Sequence, residues 1–157
     1  MDKSGYLNPM FRGSSFHTID TKGRIIIPAR FRDVIKANGA DSVMLSRIDN
    51  CVVAYTMEKW RRLEDEVLSL PKPSARMRRF RRVFIGGAFE CTCDKQDRIL
   101  IPSTLRAYAS LDKDIALVGA LERFEIWSRE NWDKEVLHLD EDMQNEEVRS
   151  EVDELGI

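Results

Sequence analysis

Two segments of this chain repeat one motif at a distance of 74 residues, and this repeat constrains the fold more than any other feature. Residues 20–28 read DTKGRIIIP and residues 94–102 read DKQDRILIP, so both carry D-x-x-x-R, an apolar run and a proline. Further along, Tyr55 and Trp127 each precede a tryptophan by five positions. The shared order of these features indicates one supersecondary unit used twice. Because about 50 residues bury little apolar surface alone, two such units must pack on each other, within one chain or between chains.

Each unit begins with a predicted turn between two β-prone segments. In the first unit the turn is 21–23, where Gly23 tolerates the positive φ of a tight reversal. Pro28 then suits the first turn of a helix, which is predicted to span 29–38 and to stop at Gly39. Each unit is therefore predicted to combine short strands with short helices in an α+β fold. The other predicted features are strands at 16–19, 24–27, 43–45, 51–55, 88–93, 98–101, 115–118 and 123–127, and helix N-caps at Thr56 and Ser128.

Apolar positions of both units are predicted to form the core. Free cysteine is among the most buried residue types, so Cys91 and Cys93, which alternate in a β-prone segment, are interpreted as small core residues. The bulky core candidates are Ile25, Ile26, Ile27, Phe31, Leu100, Ile101 and the tryptophans Trp60, Trp127 and Trp132.

Charge is distributed unevenly along the chain. The formal net charge is -2, but residues 133–157 carry ten acidic residues against two basic ones, so the first 132 residues have a net charge of +6. Residues 71–83, the arginine-rich connector, contain six basic residues and no acidic one. The connector is predicted to be helical, capped by Ser74, with its arginines between the two units. Such a stretch attracts phosphate, although it also suits a solvated helix face or a partner for the acidic tail.

The residues give little support to catalysis, metal binding or membrane insertion. Cys51, Cys91 and Cys93 lack the spacing of a zinc site, and His17 and His138 lack a nearby nucleophile. No apolar run approaches the ~18 residues that cross a bilayer, and no signal peptide is recognisable. We expect a cytoplasmic protein that is not an enzyme and takes no cofactor, metal or small-molecule substrate.

The D-x-x-x-R motif suits recognition of a polyanion. Asp20 and Arg24 are predicted to pair across the turn, so that the carboxylate orients the guanidinium and leaves its other donors free. Those donors suit phosphate or the O6 and N7 atoms of guanine, and Lys22 adds charge at the turn. The alternative is a salt bridge that only stabilises a hairpin.

Five segments in this order resemble the MraZ family: MFRG at 10–13, DTKGRIIIPARFR at 20–32, FIGGA at 84–88, DKQDRILIP at 94–102 and LVGALERFEIW at 117–127. The resemblance implies a bacterial transcriptional regulator, a repressor and autoregulator of the division and cell wall gene cluster. It also implies two AbrB/SpoVT-like swapped-hairpin β-barrel units per chain, packed with short helices. The expected assembly is a homo-oligomeric ring that binds short G-rich direct repeats in double-stranded promoter DNA on the nucleoid.

The resemblance assigns DNA contacts to both turns. In the first unit the family motif is intact, whereas the second has Asp97 where the family usually has glycine. An added carboxylate beside Arg98 weakens attraction to phosphate, so the first turn is the stronger candidate. Arg12 is expected to add a phosphate contact near the first turn. The candidate DNA-binding residues are Asp20, Lys22, Arg24, Arg12, Asp94, Lys95 and Arg98.

The predicted organisation has five parts, and two other functions remain open. The parts are an N-terminal extension at 1–9, a first repeat at 10–70, the connector at 71–83, a second repeat at 84–137 and an acidic tail at 138–157. One alternative is an antitoxin-like or scaffolding module that uses the connector or the acidic tail to hold a protein. The other is a hydrolase or redox enzyme using Cys91 and Cys93, which the missing base and ligand residues disfavour.

Overall fold

The order of strands and helices follows the repeat. The computed structural model describes residues 9–37 and 39–157, so residues 1–8 of the predicted extension and residue 38, the predicted end of the first helix, lie outside it. The strands are β1 Ser14–Thr18, β2 Arg24–Ile26, β3 Ser42–Ile48, β4 Cys51–Thr56, β5 Phe89–Thr92, β6 Arg98–Leu100, β7 Asp114–Gly119 and β8 Arg123–Ser128. The helices are α1 Ala29–Ala37, α2 Met57–Leu68, α3 Ala75–Phe80, α4 Ser103–Tyr108, α5 Arg129–Asp142 and α6 Glu146–Asp153, with a π-helical turn Arg81–Ile85 after α3.

Local sequence signals fix where these elements begin. Thr56 caps α2, and its hydroxyl accepts the N–H of Lys59 at 3.2 Å. Ser74 and Ser128 cap α3 and α5 in the same way. Gly23 has a φ of +88°, as the tight turn requires. The predicted caps and the α+β class are therefore confirmed.

The two repeats exchange their first strands. A six-stranded sheet has the order β1-β7-β8-β4-β3-β5, so β1 of the first repeat pairs with β7 of the second, and β5 of the second pairs with β3 of the first. The two strands that flank each turn thus belong to different sheets. Exchanging each strand for its counterpart reverses the sheet order, so the two repeats are related by a local twofold axis. Neither repeat completes its sheet without the other.

The second sheet is an antiparallel ribbon of β2 and β6. It joins one short strand from each repeat, with Ile25 opposite Ile99. Both isoleucines are buried beneath the ribbon. The ribbon covers one face of the six-stranded sheet together with α1 and α4, because their apolar side chains belong to one core cluster. We call this side of the sheet the ribbon face.

A second core cluster lies on the opposite side of the same sheet. Side chains along β4 alternate between the clusters: Val52 and Ala54 join the first, while Val53 and Tyr55 join the second. The second cluster also contains Trp60 of α2, Trp127 and Phe84, the residue that follows the last residue of the connector. We call this side the connector face.

Burial confirms most of the predicted core and corrects two positions. Ile26 and Leu100 are 60% and 54% exposed, whereas both were assigned to the core by the apolar run that contains them. The reason is the strand period of two, because burying Ile25 and Ile27 turns the residue between them outward. Cys93 and Trp132 are only partly buried. The confirmed core residues are Ile25, Ile27, Phe31, Trp60, Cys91, Ile101 and Trp127.

The arginine-rich connector packs on the first repeat, so the prediction that it lies between the two halves is wrong. Phe84 is buried against Trp60, at 5.5 Å between ring centroids, and Phe80 stacks on Phe84 at 4.9 Å. The buried Ser46 hydroxyl donates to the Phe84 carbonyl at 2.7 Å. These aromatic contacts hold the connector on β3 and α2 and leave its arginines in solvent.

Candidate nucleic-acid interface

The first turn is organised by the carboxylate of Asp20. One oxygen, Oδ1, accepts the backbone N–H groups of Lys22 and Arg24, each at 2.9 Å. The other, Oδ2, accepts Arg24 Nε at 2.7 Å. The turn closes with the Gly23 N–H donating to the Asp20 carbonyl at 3.0 Å. The predicted pairing of Asp20 and Arg24 is therefore confirmed.

The second turn reproduces this arrangement. Asp94 Oδ1 accepts the N–H groups of Gln96 at 2.8 Å and Arg98 at 2.9 Å, while Oδ2 accepts Arg98 Nε at 2.9 Å. The turn closes with the Asp97 N–H donating to the Asp94 carbonyl. Each carboxylate thus holds the guanidinium of its arginine through Nε alone. Within the described ranges, the Nη groups of Arg24 and Arg98 make no hydrogen bond and remain available to a ligand.

Both carboxylates have lowered pKa values. The Arg24 N–H that bonds Asp20 is the largest cause lowering the pKa of Asp20 to about 2, and the Arg24 guanidinium contributes as well. The pKa of Asp94 is lowered for the same reasons, with the Arg98 N–H first. Both groups are therefore ionised at neutral pH and hold their arginines by charge-assisted hydrogen bonds.

Strand register brings the two arginines onto one surface. In the β2–β6 ribbon Arg24 lies opposite Leu100 and Ile26 lies opposite Arg98. Directly opposed residues share a face, and Ile25 and Ile99 occupy the inner one. The outer face of the ribbon therefore carries Arg24, Ile26, Arg98 and Leu100. The Cα atoms of the two arginines lie on a diagonal of roughly 7–8 Å in an antiparallel pair.

Lysine lies at the tip of each turn, and both lysines are exposed. Lys22 precedes Gly23, whereas Lys95 directly follows Asp94. Together with the two arginines they give this end of the molecule four cationic side chains within two short turns. Fixed arginine donors and exposed lysines in these two turns match a ligand that carries several negative charges.

The two turns differ at the position that is Gly23 in the first turn and Asp97 in the second. In each turn an arginine of the other repeat lies against this position. A Cβ atom on Gly23 would lie 2.8 Å from Cζ of Arg106, so glycine leaves room for that guanidinium. In the second turn Asp97 adopts a φ of +59°, and its carboxylate forms an ion pair with Arg32. The extra carboxylate that distinguishes the second turn is thus already paired with a cation.

Arg12 does not lie beside the first turn. It precedes β1, whereas Asp20 follows β1, and the pairing of Phe11 with Leu121 and of Ile19 with Lys113 keeps the segment between them extended. Eight extended residues span on the order of 20 Å. The expectation that Arg12 lies near the first turn is therefore wrong. Its side chain is exposed, but it lies at the opposite end of β1.

The cysteines are unsuited to nucleophilic chemistry. Burial is the largest cause raising the pKa of Cys91 to about 11, and it also raises the pKa values of Cys51 and Cys93. Their thiols therefore stay protonated at neutral pH. Residues 9–37 and 39–157 contain no group of three His, Cys, Asp or Glu side chains arranged for a metal ion. Over the same ranges, no helix is both long and apolar enough to traverse a bilayer.

Comparison with known families matches both halves of the chain. The family model described as "MraZ protein, putative antitoxin-like" matches residues 10–83 and again residues 84–152. The chain belongs to the MraZ family. The protein named Transcriptional regulator MraZ from Desulforapulum autotrophicum is 57% identical over 148 residues, 94% of this chain and 100% of that protein. The protein of the same name from Desulfosudis oleivorans is 47% identical over the same shares.

Membership of the MraZ family confirms the resemblance drawn from the five segments. It also confirms that the chain is a transcriptional regulator and not an enzyme. The curated MraZ relative from Caldicellulosiruptor saccharolyticus, at 40% identity, likewise covers 94% of this chain. The similarity therefore extends over both repeats and is not confined to the D-x-x-x-R turns.

Sequence reasoning missed two members of the candidate MraZ interface, Ile26 and Leu100. Both occupy the same position in the two repeats, two residues after the motif arginine. The signal was present, because residues two apart in a strand share a face, and an arginine that is free to bind a ligand must point outward. Assigning the whole apolar run to the core concealed that alternation.

Proposed function

We propose that this chain is a sequence-specific DNA-binding repressor that regulates its own promoter and the division and cell wall gene cluster. The observation that carries the proposal is the outer face of the β2–β6 ribbon, where Arg24 and Arg98 are each fixed through Nε by an aspartate. An arginine held in this way presents its two Nη groups in one orientation. Guanine offers O6 and N7 in the major groove, which also admits a two-stranded β-ribbon.

The proposed contacts divide into two kinds. Arg24 and Arg98 read guanine in short G-rich repeats, while Lys22 and Lys95 contact phosphate and position the turns. The ion pair between Asp97 and Arg32 supports the participation of the second turn, because it offsets the additional negative charge. Arg12, at the far end of β1, contacts a more distant phosphate.

The proposed assembly is a homo-oligomeric ring on the nucleoid in the cytoplasm. A single ribbon makes few contacts, so useful affinity comes from ribbons of neighbouring copies on successive direct repeats about one helical turn apart. Once one ribbon is bound, the next one binds at a raised effective concentration. We further propose that each pair of repeats is a swapped-hairpin barrel of the AbrB/SpoVT type, which the exchange of β1 and β5 supports.

Removing the arginines tests the function. Each of Arg24→Ala and Arg98→Ala is expected to weaken binding to G-rich direct repeats by about 1–3 kcal/mol per contact, or 5- to 150-fold. Gel shifts with the G-rich repeats and with shuffled DNA of the same composition measure this loss of affinity. The matched control is Arg61→Ala, since Arg61 is exposed on α2 at the connector face. Unchanged binding by Arg24→Ala, or equal affinity for repeats and shuffled DNA, would overturn the proposal.

Salt dependence separates this function from a protein-interaction role. If six to ten phosphates are neutralised, affinity is expected to fall about 10³- to 10⁵-fold between 50 and 200 mM salt. The second candidate is an antitoxin-like or scaffolding module, which the description of the matching family model favours. Such a module shows neither sequence preference for DNA nor this steep decline.

A further inference from the structure

The arginine-rich connector has a large charge that the described chain leaves unpaired. Its basic side chains are all exposed, and none forms an ion pair within residues 9–37 and 39–157. One of them, Arg78, donates from Nη1 to the Pro73 carbonyl at 2.9 Å, which leaves its charge uncompensated. The six residues are Lys72, Arg76, Arg78, Arg79, Arg81 and Arg82.

Folding of the connector does not require these cations. Phe80, Phe84 and the Ser46 hydroxyl hold it on β3, as described above. Arginines three or four residues apart on one helical segment, such as Arg78 and Arg82, repel each other by about 0.2–0.5 kcal/mol per pair. A surface that retains such repulsion without a structural need is suited to an anionic partner.

The connector is directed away from the proposed DNA contact of its own copy. It lies on the connector face of the six-stranded sheet, whereas the β2–β6 ribbon lies on the ribbon face. The full thickness of the sheet and its two core clusters separates them. DNA seated on the ribbon therefore does not reach the connector of the same chain, which favours a protein as the anionic partner.

The acidic tail, residues 138–157, has the complementary charge and is also unpaired. It contains eight acidic residues and one arginine, Arg149, which pairs with Asp153 at 3.1 Å. The other seven carboxylates form no ion pair within the described ranges. Its side chains Leu139, Leu155 and Ile157 are 57–81% exposed, and the connector exposes Met77 and Val83. Both surfaces therefore offer apolar contacts beside their charges.

Position in the fold assigns this contact to two different copies. On the connector face α5 packs over β7 and β8, α2 packs over β4 and β3, and the connector packs over β3. The helix that leads into the tail, α5, is thus anchored on the far side of α2 from the connector, and within residues 9–37 and 39–157 no carboxylate of the tail pairs with a basic residue of the connector. We infer that the acidic tail of one copy binds the arginine-rich connector of a neighbouring copy.

This contact joins unlike surfaces, so it repeats from copy to copy and closes as a ring or continues as a filament. The inference rests on the assembly in the proposed function and names the surfaces that form it. It does not depend on how the ribbon contacts DNA. Both the wild type and the variants can therefore be tested without DNA.

A charge exchange between copies tests the contact. One variant carries Arg78→Glu, Arg79→Glu and Arg82→Glu; the other carries Glu147→Lys, Glu151→Lys and Glu154→Lys, all at exposed positions. Sedimentation velocity of the full-length chain at low salt measures assembly. Each variant alone is expected to need about tenfold or more protein to assemble. An equimolar mixture is expected to recover the wild-type size, because each tail then meets a connector of opposite charge.

Control variants and further comparisons show whether the contact lies between copies. The control pair Arg61→Glu and Arg62→Glu, on α2, is expected to leave assembly unchanged. Recovery by all six substitutions in one chain, but not by the mixture, would indicate a contact within a single chain and overturn the inference. Wild-type size for either variant alone, or a wild type that never assembles, would also overturn it. Arg24→Ala separates the two proposals, since it is expected to weaken DNA binding without changing size.

Discussion

At the scale of single residues, Asp20 decides how the candidate site is presented. Its two oxygens accept three hydrogen bonds, two from the backbone of the turn and one from Arg24 Nε. The same carboxylate thus shapes the loop and aims the guanidinium. Replacing it changes the geometry of the turn and the direction of the arginine together.

The lowered pKa of Asp20 predicts a pH dependence of stability. Its pKa is about 2 in the folded chain, against 3.8 as the ordinary value. Because the folded value is the lower one, the ionised carboxylate stabilises the fold fully above about pH 5, and this contribution is lost as pH falls through 3.8 towards 2. The unfolding free energy of the wild type should exceed that of Asp20→Asn by a constant amount above pH 5 and by less below it.

Denaturant titrations between pH 7 and pH 3 measure this difference, and NMR titration of the Asp20 carboxyl carbon gives its midpoint directly. Asp94→Asn is expected to show the same sign, because the pKa of Asp94 is also lowered. A midpoint for Asp20 at or above 3.8 would contradict the hydrogen-bonded turn.

Adjacent isoleucines of β2 provide a second test at this scale. Ile25 is 1% exposed and Ile26 is 60% exposed, so the two differ in burial but not in side chain. Ile25→Ala is expected to destabilise the fold by about 2–5 kcal/mol, and Ile26→Ala by no more than about 0.5 kcal/mol. Urea unfolding of the two variants measures both. Comparable losses at the two positions would mean that Ile26 is also covered, for example by another copy.

At the scale of elements, local signals were sufficient to predict where strands and helices begin, but not which strands pair. Ser128 and Thr56 indicate helix starts because a cap is a contact between residues three apart. The pairing of β1 with β7 joins residues about 100 positions apart, and nothing in either segment specifies the other. The turn at Asp20 was recognised for the same reason as the caps, since its hydrogen bonds span four residues.

Strand exchange predicts that half of the chain does not fold as a monomer. A fragment of residues 9–83 lacks β7 and β8 beside β1 and β4 and lacks β6 beside β2, so its apolar core stays open. Far-UV circular dichroism and urea titration are expected to show no cooperative unfolding of a monomeric fragment. Mixing it with residues 84–157 is expected to restore the transition. A fragment that unfolds cooperatively as a monomer would contradict the exchange.

At the scale of the whole molecule, charge is divided between opposite sides. The net charge of -2 combines a body of +6 with a tail that holds most of the acidic excess. The body in turn carries two basic regions, the turns of the ribbon face and the connector on the other side of the sheet. The sequence showed how charge is divided along the chain. Assigning the two basic regions to opposite faces of the sheet required the structure, in which the side chains of β4 alternate between the two core clusters.

The exchange of strands also determines when β1 can pair with its partner strand during translation. Ser14 pairs with Val118, so β1 has no partner strand within its own chain until the ribosome has added 104 more residues. At about 5–20 residues per second, that interval is on the order of 5–20 s. During it the apolar side of the first repeat stays uncovered on the nascent chain. Two nascent chains on the same messenger can then pair with each other's strands before their own second repeats emerge, so slow translation through residues 84–118 favours interlinked chains over single ones.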